Sequence, residues 1–134
     1  MKKKIENIFL KKKILIYGLG KSGISSFRFL KNKADIYLFD DFKKKHPKQI
    51  SKLKLSKTKF DIILISPGIN IFNCKLSKFL KLNKKKIYTD LDIFFTFFKN
   101  ECITITGTNG KSTTAKILYE VLKDQKKDVR LIGN

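Results

Sequence analysis

Apolar residues arrive along this chain in short unbroken runs, separated by lysine- and glycine-rich stretches. Ile14-Leu-Ile-Tyr17, Asp35-Ile-Tyr-Leu-Phe39 and Asp61-Ile-Ile-Leu-Ile65 are rich in β-branched and aromatic side chains. Apolar runs without polar alternation are the pattern of strands buried on both faces, as in a parallel sheet. Ile87-Tyr88 reads as a shorter strand. Between the runs the apolar positions take helical spacing. Ile24, Phe27 and Leu30 share one side of a predicted helix over 24–31, and further helices are predicted over 76–82 and 91–98. The last of these has a dense phenylalanine face (Phe94, Phe95, Phe97, Phe98), expected to pack as core. The lysine-rich stretch 43–59 reads as loop or short helix. Towards the C-terminus a strand is predicted at Ile103-Thr-Ile-Thr106, a helix at about 112–124 and a strand at about 129–132.

Strands alternating with helices imply an α/β fold with a parallel, doubly wound, Rossmann-like sheet. A short polar link around Asn100 marks the expected boundary between a domain at 1–100 and a second one beginning at 101. Residues 101–134 amount to one βαβ unit, which cannot bury both faces of its own sheet. That unit is expected either to be the start of a larger domain, cut short here, or to pack against the first domain.

A strand, a glycine loop and a helix occur in that order twice. Gly18-x-Gly20-x-x-Gly23 opens the first helix, and Asp40 stands about twenty residues further on. Gly18 suits the turn, Gly20 the close approach of a diphosphate, and Gly23 tight helix packing. The acid at the end of the second strand suits a hydrogen bond to a ribose or base. By residue types alone NAD and a UDP-sugar are both candidate ligands, and a glycine turn set by packing alone is the alternative. Lys21 and Ser22 are placed to contact phosphate. Ser66-Pro67-Gly68-Ile69 follows the third strand, at the carboxyl edge where open α/β sheets bind ligands.

The second loop is Thr106-Gly107-Thr108-Asn109-Gly110-Lys111-Ser112-Thr113. Its glycines let backbone N–H groups approach phosphate oxygens, and the following helix N-terminus favours anions. Lys111 is placed to reach the β- and γ-phosphates of ATP, and Ser112 or Thr113 to offer a hydroxyl to Mg²⁺. The general P-loop rule asks for glycine at position 105, where this chain has Ile.

The formal net charge is +20, with arginine only at Arg28 and Arg130. Nucleic-acid surfaces favour arginine for bidentate contacts, so the lysine excess reads as compositional bias and no nucleic-acid partner is expected. Cys74 and Cys102 lack metal spacing, and a reduced, cytoplasmic protein is expected. Lys11–Lys13 interrupt the apolar stretch that a signal peptide needs, and no run approaches the roughly 20 apolar residues that span a bilayer. His46 reads as solvated, and Asp90 and Asp92 as structural.

The short second loop resembles the ATP loop of the Mur ligases and their folylpolyglutamate synthetase relatives. The order of features strengthens the resemblance. Gly-Leu-Gly-Lys-Ser-Gly at 18–23, Ser-Pro-Gly-Ile at 66–69, Asp-Leu-Asp-Ile-Phe-Phe at 90–95 and Ile-Thr-Gly-Thr-Asn-Gly-Lys-Ser-Thr-Thr at 105–114 resemble the branch that adds D-glutamate. Leu131-Ile-Gly-Asn134 looks like the start of that family's Gly-Asn-Ile-Gly segment.

This resemblance implies a first domain that binds the UDP part of UDP-MurNAc-L-Ala. Leu19, Gly20, Lys21 and Ser22 match its diphosphate loop. Asp40 and Asp41 match an acidic turn on the uridine side, although Asp41-Phe42 stand where the family often has Thr-Arg. Ser66, Pro67 and Gly68 match another nucleotide-side loop, and Asn134 a substrate-side asparagine. Asn109, Gly110, Lys111, Ser112 and Thr113 match the loop for ATP and Mg²⁺. The implied reaction is ATP-dependent amide formation through an acyl phosphate, with D-glutamate as the attacking amine and Lys111 stabilising the transferring phosphoryl group. The family's Mg²⁺-binding glutamate and histidine, its carbamylated lysine and its C-terminal domain have no counterpart before residue 134. The chain alone is therefore expected to be inactive, with a separate chain as one possible source of the missing parts. Two competing readings, an NAD-dependent oxidoreductase and a basic nucleic-acid module, leave Gly107–Thr114 unexplained.

Overall fold

A computed structural model describes residues 7–42 and 46–132. The chain divides into two compact units, one ending at Lys99 and the other beginning at Asn100.

In the first unit the apolar runs become four parallel strands: β1 (Lys13–Tyr17), β2 (Asp35–Phe39), β3 (Ile62–Ile65) and β4 (Ile87–Tyr88). Their order across the sheet is β2-β1-β3-β4. Alternate residues of each run face opposite sides, and each side has its own core. Ile14, Ile16, Ile36, Leu38, Ile62 and Leu64 form one with Phe9 and Leu30. Leu15, Tyr17, Phe39, Ile63 and Ile65 form the other with Leu55 and Leu80. Two-sided burial explains why these strands show no polar alternation.

The first core is covered by α1 (Lys21–Leu30) and α4 (Asp90–Phe97), through Ile24, Phe27, Leu30 and Ile93. The second lies under α2 (Lys52–Lys57) and α3 (Ser77–Leu82), through Leu55 and Leu80. The fold is α/β, a Rossmann-like parallel sheet with helices on both faces.

Helix α4 starts with a capping box. The Thr89 N–H donates to the Asp92 carboxylate at 2.6 Å, and its hydroxyl donates to the same oxygen at 2.8 Å. Asp92 is therefore a cap, as its place before the phenylalanine run suggests. The phenylalanines themselves divide. Phe97 packs edge-on against Phe29 and stacks on Phe9, whereas Phe95 and Phe98 stay about half exposed. An eight-residue helix lying on one sheet face cannot bury consecutive positions 94, 95, 97 and 98 together. His46 is half-buried with its ring edge-on to Phe27 at 5.0 Å, so it is not simply solvated.

In the second unit the one regular element among the described residues is helix α5 (Lys111–Asp124). The strands predicted at 103–106 and 129–132 do not form there. Ile103 and Ile132 are each 66% exposed, and α5 has no buried residue. β-Branched residues favour a strand only where a paired, half-buried surface receives them, and the described residues of this unit supply none. No described helix is long and apolar enough to cross a membrane.

Candidate functional site

In the order β2-β1-β3-β4, the chain steps from β1 to one side first and to the other side next. The crevice at the carboxyl ends of β1 and β3 is thus the topological switch point, where open α/β sheets take ligands. The loops after these two strands, beginning at Gly18 and Ser66, meet there. The Ser66 hydroxyl donates to the Gly18 carbonyl at 2.8 Å, and the Ser66 N–H donates to the Tyr17 carbonyl at 3.0 Å.

The three glycines of the first loop differ in what they do. Gly18 has φ +96°, and a Cβ there would lie 2.8 Å from the Ser66 Cβ. A Cβ on Gly23 would lie 1.8 Å from the Gly18 carbonyl oxygen. Both positions are closed to any side chain. Gly20 is the reverse, exposed and with no heavy atom within 4 Å of where a Cβ would stand. It caps α1 without a side-chain hydrogen bond. The first-turn N–H groups of Lys21, Ser22 and Gly23 lie too early for an intrahelical acceptor and open towards that space. A helix N-terminus under a bare glycine is suited to an anion, and a diphosphate is of the right kind.

The acidic turn after β2 closes the loop from the other side. The Asp40 carboxylate accepts the Leu19 N–H at 2.6 Å and the Phe42 N–H at 2.8 Å. Asp40 therefore shapes the glycine loop directly. Carboxylate oxygens accept more than one donor, so this does not preclude a ligand hydroxyl. Asp41 accepts the Tyr17 phenol at 2.8 Å and the Lys75 N–H at 3.3 Å, and the Lys75 ammonium donates to the Asp41 carbonyl at 2.6 Å. These bonds strap the segment around Lys75 to the acidic turn. Burial pushes the Tyr17 phenol well above its usual pKa, and hydrogen bonding with Cys74 and Asp41 adds to the shift.

Tyr17 and Lys75 were not foreseen from sequence. The only available signal was a hydroxyl-bearing residue ending an otherwise aliphatic strand. Pro67 and Gly68 are exposed beside Ser66, and the Ile69 N–H closes their turn on the Ser66 carbonyl at 3.0 Å. A cleft of about 360 Å³ runs between α1 and α4, bordered by Lys21, Ser22, Ser25, Phe29, Asp90 and Phe94.

The second loop stands in the other unit. Gly107 has φ +155° and Gly110 φ +75°, and Gly110 caps α5 in the left-handed conformation without a side-chain hydrogen bond. The Lys111 ammonium folds back on the carbonyls of Gly107 and, at 3.2 Å, Thr108. Thr108, Asn109, Ser112 and Thr113 are all exposed around this turn. Backbone donors, a lysine and two hydroxyls are thus present on one short loop. Asn134 lies outside the described residues.

No protein-family model matches the chain. Individual relatives do. It is 36% identical to the UDP-N-acetylmuramoylalanine–D-glutamate ligase of Rickettsia conorii over 96% of its own length, which is 27% of that protein. It is 34% identical to the ligase of the same name from Aquifex aeolicus, over 91% of the chain and 28% of the relative. With the ligase of the same name from Lachnoclostridium phytofermentans it shares 32% identity over 94% of the chain and 31% of the relative. The chain spans less than a third of the length of these curated relatives. The chain thus matches the N-terminal portion of these Mur ligases over nearly its whole length.

Proposed function

We propose that this chain supplies the UDP-sugar site and the ATP loop of a ligase that joins D-glutamate to UDP-MurNAc-L-Ala in peptidoglycan precursor synthesis. The observation that carries the reading is the open space over Gly20, held by the Ser66–Gly18 bond at the switch point. The matching names of the relatives supply the substrate class.

In this reading residues 1–100 hold the nucleotide sugar. The N–H groups of Lys21 and Ser22 receive the diphosphate over Gly20, with Gly18 and Leu19 setting the turn. Asp40, Asp41 and the Ser66-Pro67-Gly68 loop border the nucleoside, and Asn134 the reacting end. The Lys21 ammonium adds a countercharge. Residues 101–134 carry the ATP loop, with Gly107, Thr108, Asn109 and Gly110 presenting backbone donors. Phosphate oxygens would replace the Gly107 and Thr108 carbonyls as partners of Lys111. That places its charge where negative charge grows during carboxylate activation. Mg²⁺, when bound with the nucleotide, would neutralise phosphate charge, and the Ser112 hydroxyl is the side chain placed to ligate it, with Thr113 beside it. In this reading the site of action is the cytoplasm.

A chimera tests this function. Residues 1–134 would replace the matched portion of the Rickettsia conorii relative. The chimera should release ADP only when both UDP-MurNAc-L-Ala and D-glutamate are present, and Lys111→Ala should abolish the release. A folded chimera that binds NADH and is silent with these substrates would overturn the reading in favour of an oxidoreductase.

A further inference from the structure

Composition alone treats the lysine excess as bias, but the fold sorts it. Each strand of the first unit begins among lysines. Strand β1 is entered through Lys11-Lys12-Lys13 and β4 through Lys84-Lys85-Lys86, while Lys33 precedes β2 and Lys59 precedes β3. Backbone hydrogen bonds knit these starts into one edge. The Lys11 N–H donates to the Lys33 carbonyl, the Asp35 N–H to Lys12, and the Asp61 N–H to Lys13. The Lys86 ammonium donates to the Phe60 carbonyl beside Lys59. Among the described residues Asp35 and Asp61 oppose this charge locally. The opposite edge, which holds the switch-point crevice, carries Asp40, Asp41, Asp90 and Asp92 with Lys21 and Lys75 among the described residues, and Lys43–Lys45 follow its acidic turn in the sequence. The amino edge of the sheet is thus cationic, while the carboxyl edge mixes carboxylates with lysines.

A second feature lies on the cationic edge. Phe9 is fully buried, and its N–H is held by the Asn7 side chain at 3.1 Å. The turn around it presents its neighbours Ile8 and Leu10 outwards, 41% and 44% exposed. Two aliphatic side chains beside a lysine-rich edge match a surface that meets anionic headgroups and dips apolar groups among them. A nucleic-acid surface would need no exposed aliphatics and would favour arginine, which is absent from this edge.

We propose that the amino-terminal edge of the sheet is a peripheral docking surface for an anionic lipid bilayer, with Ile8 and Leu10 seated at headgroup level. No segment spans the bilayer in this arrangement. The polarity of the parallel sheet then points the switch-point crevice away from the membrane, open to water-borne ligands.

Co-sedimentation of the full chain with vesicles tests the proposal. With about one-third phosphatidylserine in phosphatidylcholine, binding should be at least about tenfold tighter than to phosphatidylcholine alone. It should disappear at roughly 0.5 M salt. Lys12→Glu/Lys84→Glu/Lys85→Glu should weaken it by about tenfold or more. Ile8→Ser/Leu10→Ser should weaken it several-fold at unchanged charge. All five side chains are exposed, so circular dichroism should report an unchanged fold. Equal binding to both vesicle types, or indifference to the lysine variant, would overturn the proposal. So would duplex DNA binding as tight as vesicle binding together with indifference to the Ile8/Leu10 variant, which would mark a generic polyanion surface.

Discussion

The Ser66 hydroxyl donates to the Gly18 carbonyl at 2.8 Å, and the same carbonyl oxygen lies 1.8 Å from where a Cβ on residue 23 would stand. One peptide group therefore receives the third strand's loop on one side and the first helix on the other. Residue 23 must be glycine for this geometry, and residue 20 need not be. Gly23→Ala forces backbone against side chain with no flexible atom to yield. It should cost about 3 kcal/mol or more, and melt the first unit more than about 10 °C lower. Gly20→Ala should cost no more than about 1 kcal/mol, the loss of a favourable cap, because its Cβ meets nothing. Thermal melts of the two variants check the contrast.

Ser66→Ala removes the hydroxyl donor to the carbonyl of buried Gly18. The expected loss is about 1 kcal/mol of stability, read from urea unfolding. In the proposed function the same variant loosens the diphosphate loop and weakens UDP-sugar binding.

Tyr17 gives a pH prediction. Its phenol is neutral when protonated, and its folded pKa stands above the ordinary value of 10.0. Stability linked to this group is therefore fully present below pH 10 and falls as pH rises above it towards the folded pKa. In a tyrosinate absorbance titration, wild type and Tyr17→Phe should coincide through pH 10, and the extra phenol should appear only on alkaline unfolding. Tyr17 ionising near pH 10 in the folded chain would contradict its burial. Tyr17→Phe should itself cost about 1–3 kcal/mol, since the Asp41 carboxylate loses its phenol partner.

Hydrogen exchange should separate the units. Amides of β1 and β3, paired on both sides of the sheet centre, should exchange slowest. Amides of 103–106 and 129–132, which have no strand pairing, should exchange within the fastest class.

The sheet was legible because β1, β2 and β3 are buried on both faces, and continuous runs such as Ile14–Tyr17 have few other uses. The glycine loop was legible because Gly23 and Gly18 answer to backbone sterics, which act locally. The run 103–106 has equal β-propensity and no strand, because propensity becomes structure only through pairing. The role of Asp40 at the Leu19 N–H was hidden for a related reason. Spacing placed an acid near a ligand, but the hydrogen bond that shapes the glycine loop depends on how two strand ends lie together. Tyr17, Asp41 and Lys75 meet only in space, and no motif announces them.

The central claim is that the space over Gly20 receives the diphosphate of a UDP-sugar. Isothermal titration of the chain with UDP-MurNAc-L-Ala, beside NADH and ATP·Mg²⁺, tests it most directly when repeated on Gly20→Asp. The account predicts UDP-sugar binding that vanishes in Gly20→Asp while its melting temperature stays close to wild type. A folded wild-type chain that ignores the UDP-sugar, or one whose binding survives Gly20→Asp, would contradict it.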